Sequence, residues 1–310
     1  MSTYLVRKLF SSLILLVALA ALTFFTLRLI PGGPFDDERA LPPEVQANVL
    51  AHYQLDQPLP AQFARWLGDV ARGDLHESYQ YIGRPVREII IEAFGFSCIL
   101  GSLSLVFATL LGLCLGALAA WRSGTIWDRL ISGGAIASVS LPNYLVAALL
   151  VLLFSLKLGW LPPALWDGPA SLVLPVLAMA LRPLALILRL VRATLRDVLG
   201  EDYIRTARAK GVSERTILFK HALRNSLVPL LSLTGPLVAN AITGSFVIET
   251  VFQLPGMGRY FVTAILNRDY PLVMGTTLVY GALLIAADLV SDWGLALADP
   301  RIQHGRLETA

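Results

Sequence analysis

The chain has 310 residues, 55% of them hydrophobic and only 15% charged, with a mean hydropathy of +0.65. Water-soluble domains of this size carry about 25% charged residues, so the composition excludes an ordinary water-soluble core. The net charge of +3 does not by itself point to nucleic acid, because the basic residues gather in the loops of one side.

Six stretches almost lack charge: Leu9–Ile30, Phe96–Trp121, Ile131–Leu156, Leu172–Leu190, Leu227–Ile248 and Leu272–Leu297. A bilayer core needs about 20 apolar residues in a helix, so these predict an all-α polytopic membrane protein with six transmembrane helices. The first stretch follows Arg7 and Lys8. It is too long for a signal-peptide core and no Ala-x-Ala site closes it, so it is read as a retained span. Cys98 and Cys114 fall in one span, about 24 Å apart along a helix, beyond disulfide reach.

Positive charge orients the spans. Arg7 and Lys8, then Arg122 and Arg129, then the nine basic residues from Arg189 to Arg224, then Arg301 and Arg306 fall on one side of a six-span chain. That side is the expected cytosol, so both termini are expected there. The opposite side receives residues 31–95. Pro43–Tyr53 looks helical. Gln62, Phe63, Trp66, Leu67 and Val70 recur at helical spacing after Pro60, and Pro85–Phe94 reads as an amphipathic lead-in to the second span. The expected organisation is one transmembrane domain, 1–310, with 31–95 a folded external subregion and 191–225 a cytoplasmic loop.

Enzyme chemistry is not evident. No Gly-x-x-x-x-Gly-Lys-Ser/Thr loop is present, so ATP hydrolysis by this chain is not expected. No His-Glu-x-x-His occurs, and His52, His76, His221 and His304 are dispersed over both sides, so no metal site is expected.

The informative loop is Asp202–Asn225. Its first half favours helix and reaches Gly211, a good residue just past a helix end. Ser213 then caps a second helix, with Glu214 in its first turn. A solvated basic loop accounts for the arginines but not for the Ala207, Ala209, Gly211 spacing. A DNA-reading helix-turn-helix, the alternative of another class, resembles the turn, yet both ends are tied to spans. A docking element for a cytosolic partner fits the small residues and the charged rim.

This segment resembles the cytoplasmic loop of ABC importer permeases, whose pattern is Glu-Ala-Ala, three residues, Gly, then Ile-x-Leu-Pro. With Gly211 on the family glycine, Arg205, Thr206 and Ala207 fall on Glu-Ala-Ala. His221 and Leu223 fall on Ile and Leu, and Arg224 on Pro. The Glu and the Pro are therefore replaced, and the usual Glu contact is not carried over. The form resembles the oligopeptide, dipeptide and nickel branch. Tyr4 to Lys8, Pro31-Gly32-Gly33-Pro34, Gly73-Asp74-Leu75, Leu254 to Gly258, Arg268-Asp269-Tyr270 and Asp299-Pro300-Arg301 match that branch, and Pro34 to Val45 is most similar to the B permeases of oligopeptide importers.

The resemblance implies the type I importer permease fold in a bacterial inner membrane, and a subunit that is not an enzyme. It implies a second homologous permease, two cytosolic ATPase subunits that carry ATP and Mg, and a periplasmic or lipid-anchored peptide-binding protein. The expected substrate is an oligopeptide, with dipeptides, nickel or other small solutes as the alternative. Asp202, Tyr203, Arg205, Thr206, Ala207, Arg208, Lys210, Gly211 and His221 are then expected to couple to an ATPase. The implied cycle is alternating access, in which each ligand favours one state.

Intramembrane polar groups are costly and functional by default. Arg182 lies mid-span in the fourth stretch, and Asp288 and Asp292 lie one turn apart in the sixth. They either line a pathway or form ion pairs. Asn240, Thr243 and Ser245 either line it or bond between helices. Glu249 either gates the pathway, meets the binding protein, or marks the membrane surface.

Overall fold

A computed structural model describes residues 2–34, 55–242 and 244–298. The helices are α1 (Ser2–Leu29), α2 (Leu59–Ala71), α3 (Val86–Trp121), α4 (Ile126–Ser140), α5 (Asn143–Leu150), α6 (Val173–Leu199), α7 (Asp202–Ala209), α8 (Glu214–Thr216), α9 (Leu223–Ser226), α10 (Val228–Ile242), α11 (Phe246–Val251), α12 (Met257–Leu266) and α13 (Tyr270–Ala298). Two π-helical turns, Val151–Lys157 and Ile217–Ala222, extend α5 and join α8 to α9. The predicted helix Pro43–Tyr53 lies outside the described residues, whereas Pro85–Phe94 merges into α3 without a break.

Among the described residues, four helical segments are long and apolar enough to cross a bilayer, namely Arg7–Leu29, Val86–Trp121, Pro169–Leu199 and Tyr270–Val290. The third predicted span is a bent pair. α4 and α5 with its π turn meet at 108°. Pro142 causes this: the residue before a proline avoids helical backbone, and Leu141 is extended at φ −89°, ψ 133°. The fifth predicted span is also interrupted. α10 has 15 residues, and Gly244 takes a left-handed φ of 72° before α11 begins. Ser245 caps α11 by accepting from the Ile248 N–H at 3.3 Å.

The chain forms two compact units. In the first, residues 1–96 and 255–285, Phe24 and Leu27 of α1 share an apolar core with Trp66 of α2 and Val273 and Met274 of α13. Asp269 organises its loops. This buried carboxylate accepts from the Ser78 hydroxyl, from the Tyr79 N–H at 3.1 Å and from the Leu272 N–H at 3.3 Å. It thus caps α13 and ties down the turn at 78–81.

The second unit, residues 97–254 with 286–310, is built on close helix contact. Ala108, Gly112, Gly116 and Ala120 recur every four residues on one face of α3. Helices in a bilayer gain little from apolar burial against one another, so small residues that let backbones approach replace it. A side chain on Gly116 would meet the Leu188 carbonyl at 2.8 Å, and one on Gly112 would meet Ile187 at 3.0 Å. Further along, Gly101 leaves room for the Ala241 carbonyl, which any Cβ would overlap. α3 is thereby set against both α6 and α10. α4 packs along α6 and is bound to it by Asp128, only 4% exposed, which holds Arg192 through two bonds of 2.5 and 3.0 Å.

Candidate functional site

The loop Asp202–Asn225 is a folded helix pair, not a solvated strand of charges. α7 ends in two bonds, Gly211 N–H to the Arg208 carbonyl at 2.9 Å and Val212 N–H to the Ala207 carbonyl at 3.2 Å. This is the glycine-terminated helix end in which the residue past the cap is left-handed, and Gly211 has φ 76°. Ser213 caps the next turn, accepting from the Thr216 N–H at 3.3 Å. Arg208 closes the turn from outside with bonds of 2.8 and 3.3 Å to Glu214. That guanidinium holds the Glu214 carboxyl below the usual carboxylate range.

Ile204, Ile217, Leu218 and Ala222 of the loop form a small core with Ala120 of α3 and Leu195 of α6. The Thr194 hydroxyl donates to the Ser226 carbonyl at 2.9 Å, and the Asn225 amide donates to the Tyr203 hydroxyl at 3.1 Å. The loop is therefore fixed to the ends of α3 and α6.

That core separates the predicted loop residues. Tyr203, Arg205, Thr206, Arg208, Lys210 and Gly211 are exposed, as are Asp202 and Phe219. His221 is half-buried. Ala207, read from sequence as a point of close partner approach, packs inward against the core, with Val212 beside it. Its small size serves the loop's own packing, while Ala209 remains on the outer face. Phe219 was not singled out by sequence reasoning. An exposed aromatic among basic residues is the signal that marks it.

The second feature is a cavity of about 800 Å³ in the same unit, walled by α3, the α4–α5 bend, α6, α10 and α11. Arg182, Asn240 and Ser245 line it, together with Ser104, Asn143, Tyr144 and Arg189. Met179 and Pro183 line it too. Proline has no N–H to give the carbonyl four residues back, so Pro183 withholds the usual helix bond from the Met179 carbonyl. The bend at Pro142 brings Asn143 and Tyr144 to the wall, a role that an unbroken third span obscures.

Glu249 is not on this wall. It is fully buried and accepts from the Ser97 hydroxyl at 2.8 Å. Its carboxylate lies against Gly244, where a side chain would collide with it. Asp288 is exposed on α13 and is not among the residues that line the cavity. Thr243 lies outside the described residues, as does the side chain of Asp292. Among the described residues no cluster of His, Cys, Asp and Glu could hold a metal ion.

Two apolar helices of bilayer length, α3 and α6, help wall a polar cavity and carry a folded helix pair at their ends, an arrangement that suits a membrane transport component. The chain belongs to the family of binding-protein-dependent transport system inner membrane components, whose model matches residues 112–304, and the N-terminal model of the same family matches residues 1–87. The family makes it a transport subunit, not an enzyme.

Curated relatives cover the chain nearly end to end. The oligopeptide transport system permease protein OppB of Salmonella typhimurium is 40% identical over 306 residues, 98% of this chain and 100% of that one. The dipeptide transport system permease protein DppB of Bacillus subtilis is 40% identical over 303 residues, 98% of each chain. Among solved structures, an inward-facing MetNI methionine ABC transporter chain superposes with a TM-score of 0.58 at 18% identity, over 70% of this chain and all of that one. An amino acid ABC transporter gives 0.52 at 15% identity, over 67% and 92%. At those identities the structures support the fold alone, that of an ABC importer permease.

Proposed function

We propose that the chain is one of two permease subunits of an ATP-driven peptide importer, with both termini and the loop 202–225 in the cytosol. The observation that carries this is the folded loop, held rigidly to α3 and α6 while its outer face is left open. A rigid link transmits displacement; a solvated loop does not. The outer face, Tyr203, Arg205, Thr206, Arg208, Ala209, Lys210 and Gly211, then seats one ATPase subunit, which carries the ATP and Mg. His221 lies behind this face as support. Closure of two ATPases moves the loop, and with it α3 and α6, whose facing sides wall the cavity. The cavity is this subunit's half of the translocation pathway, completed by a second permease and fed by an external peptide-binding protein.

Oligopeptides are the substrate class we favour. Relatives of equal identity handle oligopeptides and dipeptides, and the resemblance of Pro34 to Val45 to oligopeptide permeases tips the choice. The DNA-reading alternative loses its ground with the family assignment. The test is reconstitution of the chain with its second permease, two ATPases and binding protein in proteoliposomes. ATP-dependent uptake of penta-alanine exceeding that of di-alanine supports the reading. Uptake of di-alanine alone moves it to dipeptides, and uptake of neither removes peptides as the substrate.

A further inference from the structure

The cavity wall carries two arginines and, among the described residues, no carboxylate. Arg182 and Arg189 are seven residues apart on α6, two turns along nearly one face and about 10 Å apart. Neither belongs to an ion pair among the described residues. Elsewhere the chain satisfies such groups internally, as Arg192 with Asp128 and Arg208 with Glu214. A cation at membrane depth is expensive and is retained where it meets a partner or a polar pathway. Asn143 adds a neutral amide to the same wall, whereas Ser104 and Asn240 donate to the Leu100 and Pro236 carbonyls of their own helices.

We infer that Arg182 and Arg189 form a two-step seat for the C-terminal carboxylate of the transported peptide. This rests on the peptide reading above and assigns the end of the substrate that the subunit grips. Guanidinium presents paired N–H donors that match a carboxylate's two oxygens, and a charge-assisted pair is about twice as strong as a neutral hydrogen bond. Arg182 sits deeper in α6. Arg189 lies two turns nearer the loop 202–225, so the carboxylate passes from the first to the second on its way toward the cytosolic end. A cavity of about 800 Å³ holds far more than a single acidic side chain reaching across from another subunit. Substrate is therefore favoured over a fixed intersubunit ion pair.

The test uses the complete reconstituted importer and compares maximal uptake of tri-alanine with that of its C-terminal amide, each at saturating loaded binding protein. The expected wild-type ratio of acid to amide is roughly ten or more, the effect of one charged hydrogen-bonded partner. Arg182→Gln brings the ratio to about one, Arg182→Lys keeps most of it, and Arg189→Gln lowers it by a smaller factor. A wild-type ratio near one overturns the seat while leaving peptide transport standing. So does an unchanged ratio in both Gln variants. Loss of the second permease from purified R182Q, with equal loss of acid and amide uptake, identifies an intersubunit pair and also overturns it. Uptake of neither compound by the wild type, with ATP hydrolysis still stimulated by the binding protein, rejects the peptide reading itself.

Discussion

Asp128 and Arg192 join the first turn of α4 to the later turns of α6 through paired bonds of 2.5 and 3.0 Å. The carboxylate also accepts from the Gly124 N–H at 3.0 Å and from the Ser132 hydroxyl at 3.3 Å. The pair fixes the bent α4–α5 segment, and hence Asn143 and Tyr144, against the helix that carries the cavity arginines.

Removing one member strands the other. Asp128→Ala is expected to destabilise the fold by about 3 kcal/mol, the usual cost of breaking a buried pair. Thermal unfolding in detergent should show a midpoint several degrees lower. Arg192→Lys recovers little, because an ammonium supplies a point charge where the site takes a fork.

The small-residue face of α3 yields a sharper contrast. Gly116→Val places a branched side chain against the Leu188 carbonyl and Val191, and is expected to cut the yield of folded protein severalfold by size-exclusion chromatography. Gly133→Ala in α4 meets nothing within 4 Å. It should be neutral or stabilising by up to about 1 kcal/mol, since alanine is the better helix former.

Gly211 separates backbone strain from contact. Gly211→Asn should keep most uptake, because asparagine tolerates the left-handed region. Gly211→Val should lose it, the branched side chain opposing a φ of 76°. Uptake and ATP hydrolysis measured together should show hydrolysis continuing without transport in the valine variant.

Asp269 predicts a local change. In Asp269→Ala the turn at 78–81 loses its carboxylate acceptor, a loss of about 1–3 kcal/mol per stranded donor. Limited chymotrypsin digestion after Tyr79 or Tyr81, within that turn, should then accelerate by roughly tenfold or more.

Much of this architecture is visible in residue order because bilayer thickness and loop charge act locally. The apolar stretches locate the long helices, and Gly211 with Ser213 marks the paired helix ends of the loop. The bend at Pro142 is written in the proline itself, yet a run of apolar residues on both sides hides it. The pairing of Asp128 with Arg192 is not legible, because 64 residues separate them and nothing local tells one arginine in the series from another. Burial of Glu249 likewise depends on Ser97, far away in sequence. Ala207 shows the opposite difficulty. Small size signals close approach, but not whether the neighbour is a partner or the loop's own core. Arg182 is conspicuous in sequence as a charge within a span, whereas Arg189 blends into the basic loop until the cavity shows both on one wall.

The most direct measurement of the coupling claim is cross-linking from the outer face of α7. Cys98 and Cys114 are first replaced by Ser, and a single cysteine is introduced by Ala209→Cys in the reconstituted complex. A short bifunctional maleimide should then link this subunit to an ATPase subunit, at a yield that changes between ATP-bound and nucleotide-free states, while a cysteine at Ile82 beside the 78–81 turn gives no such product. No link to an ATPase from position 209 in any nucleotide state, in a complex that still imports peptide, would contradict the account.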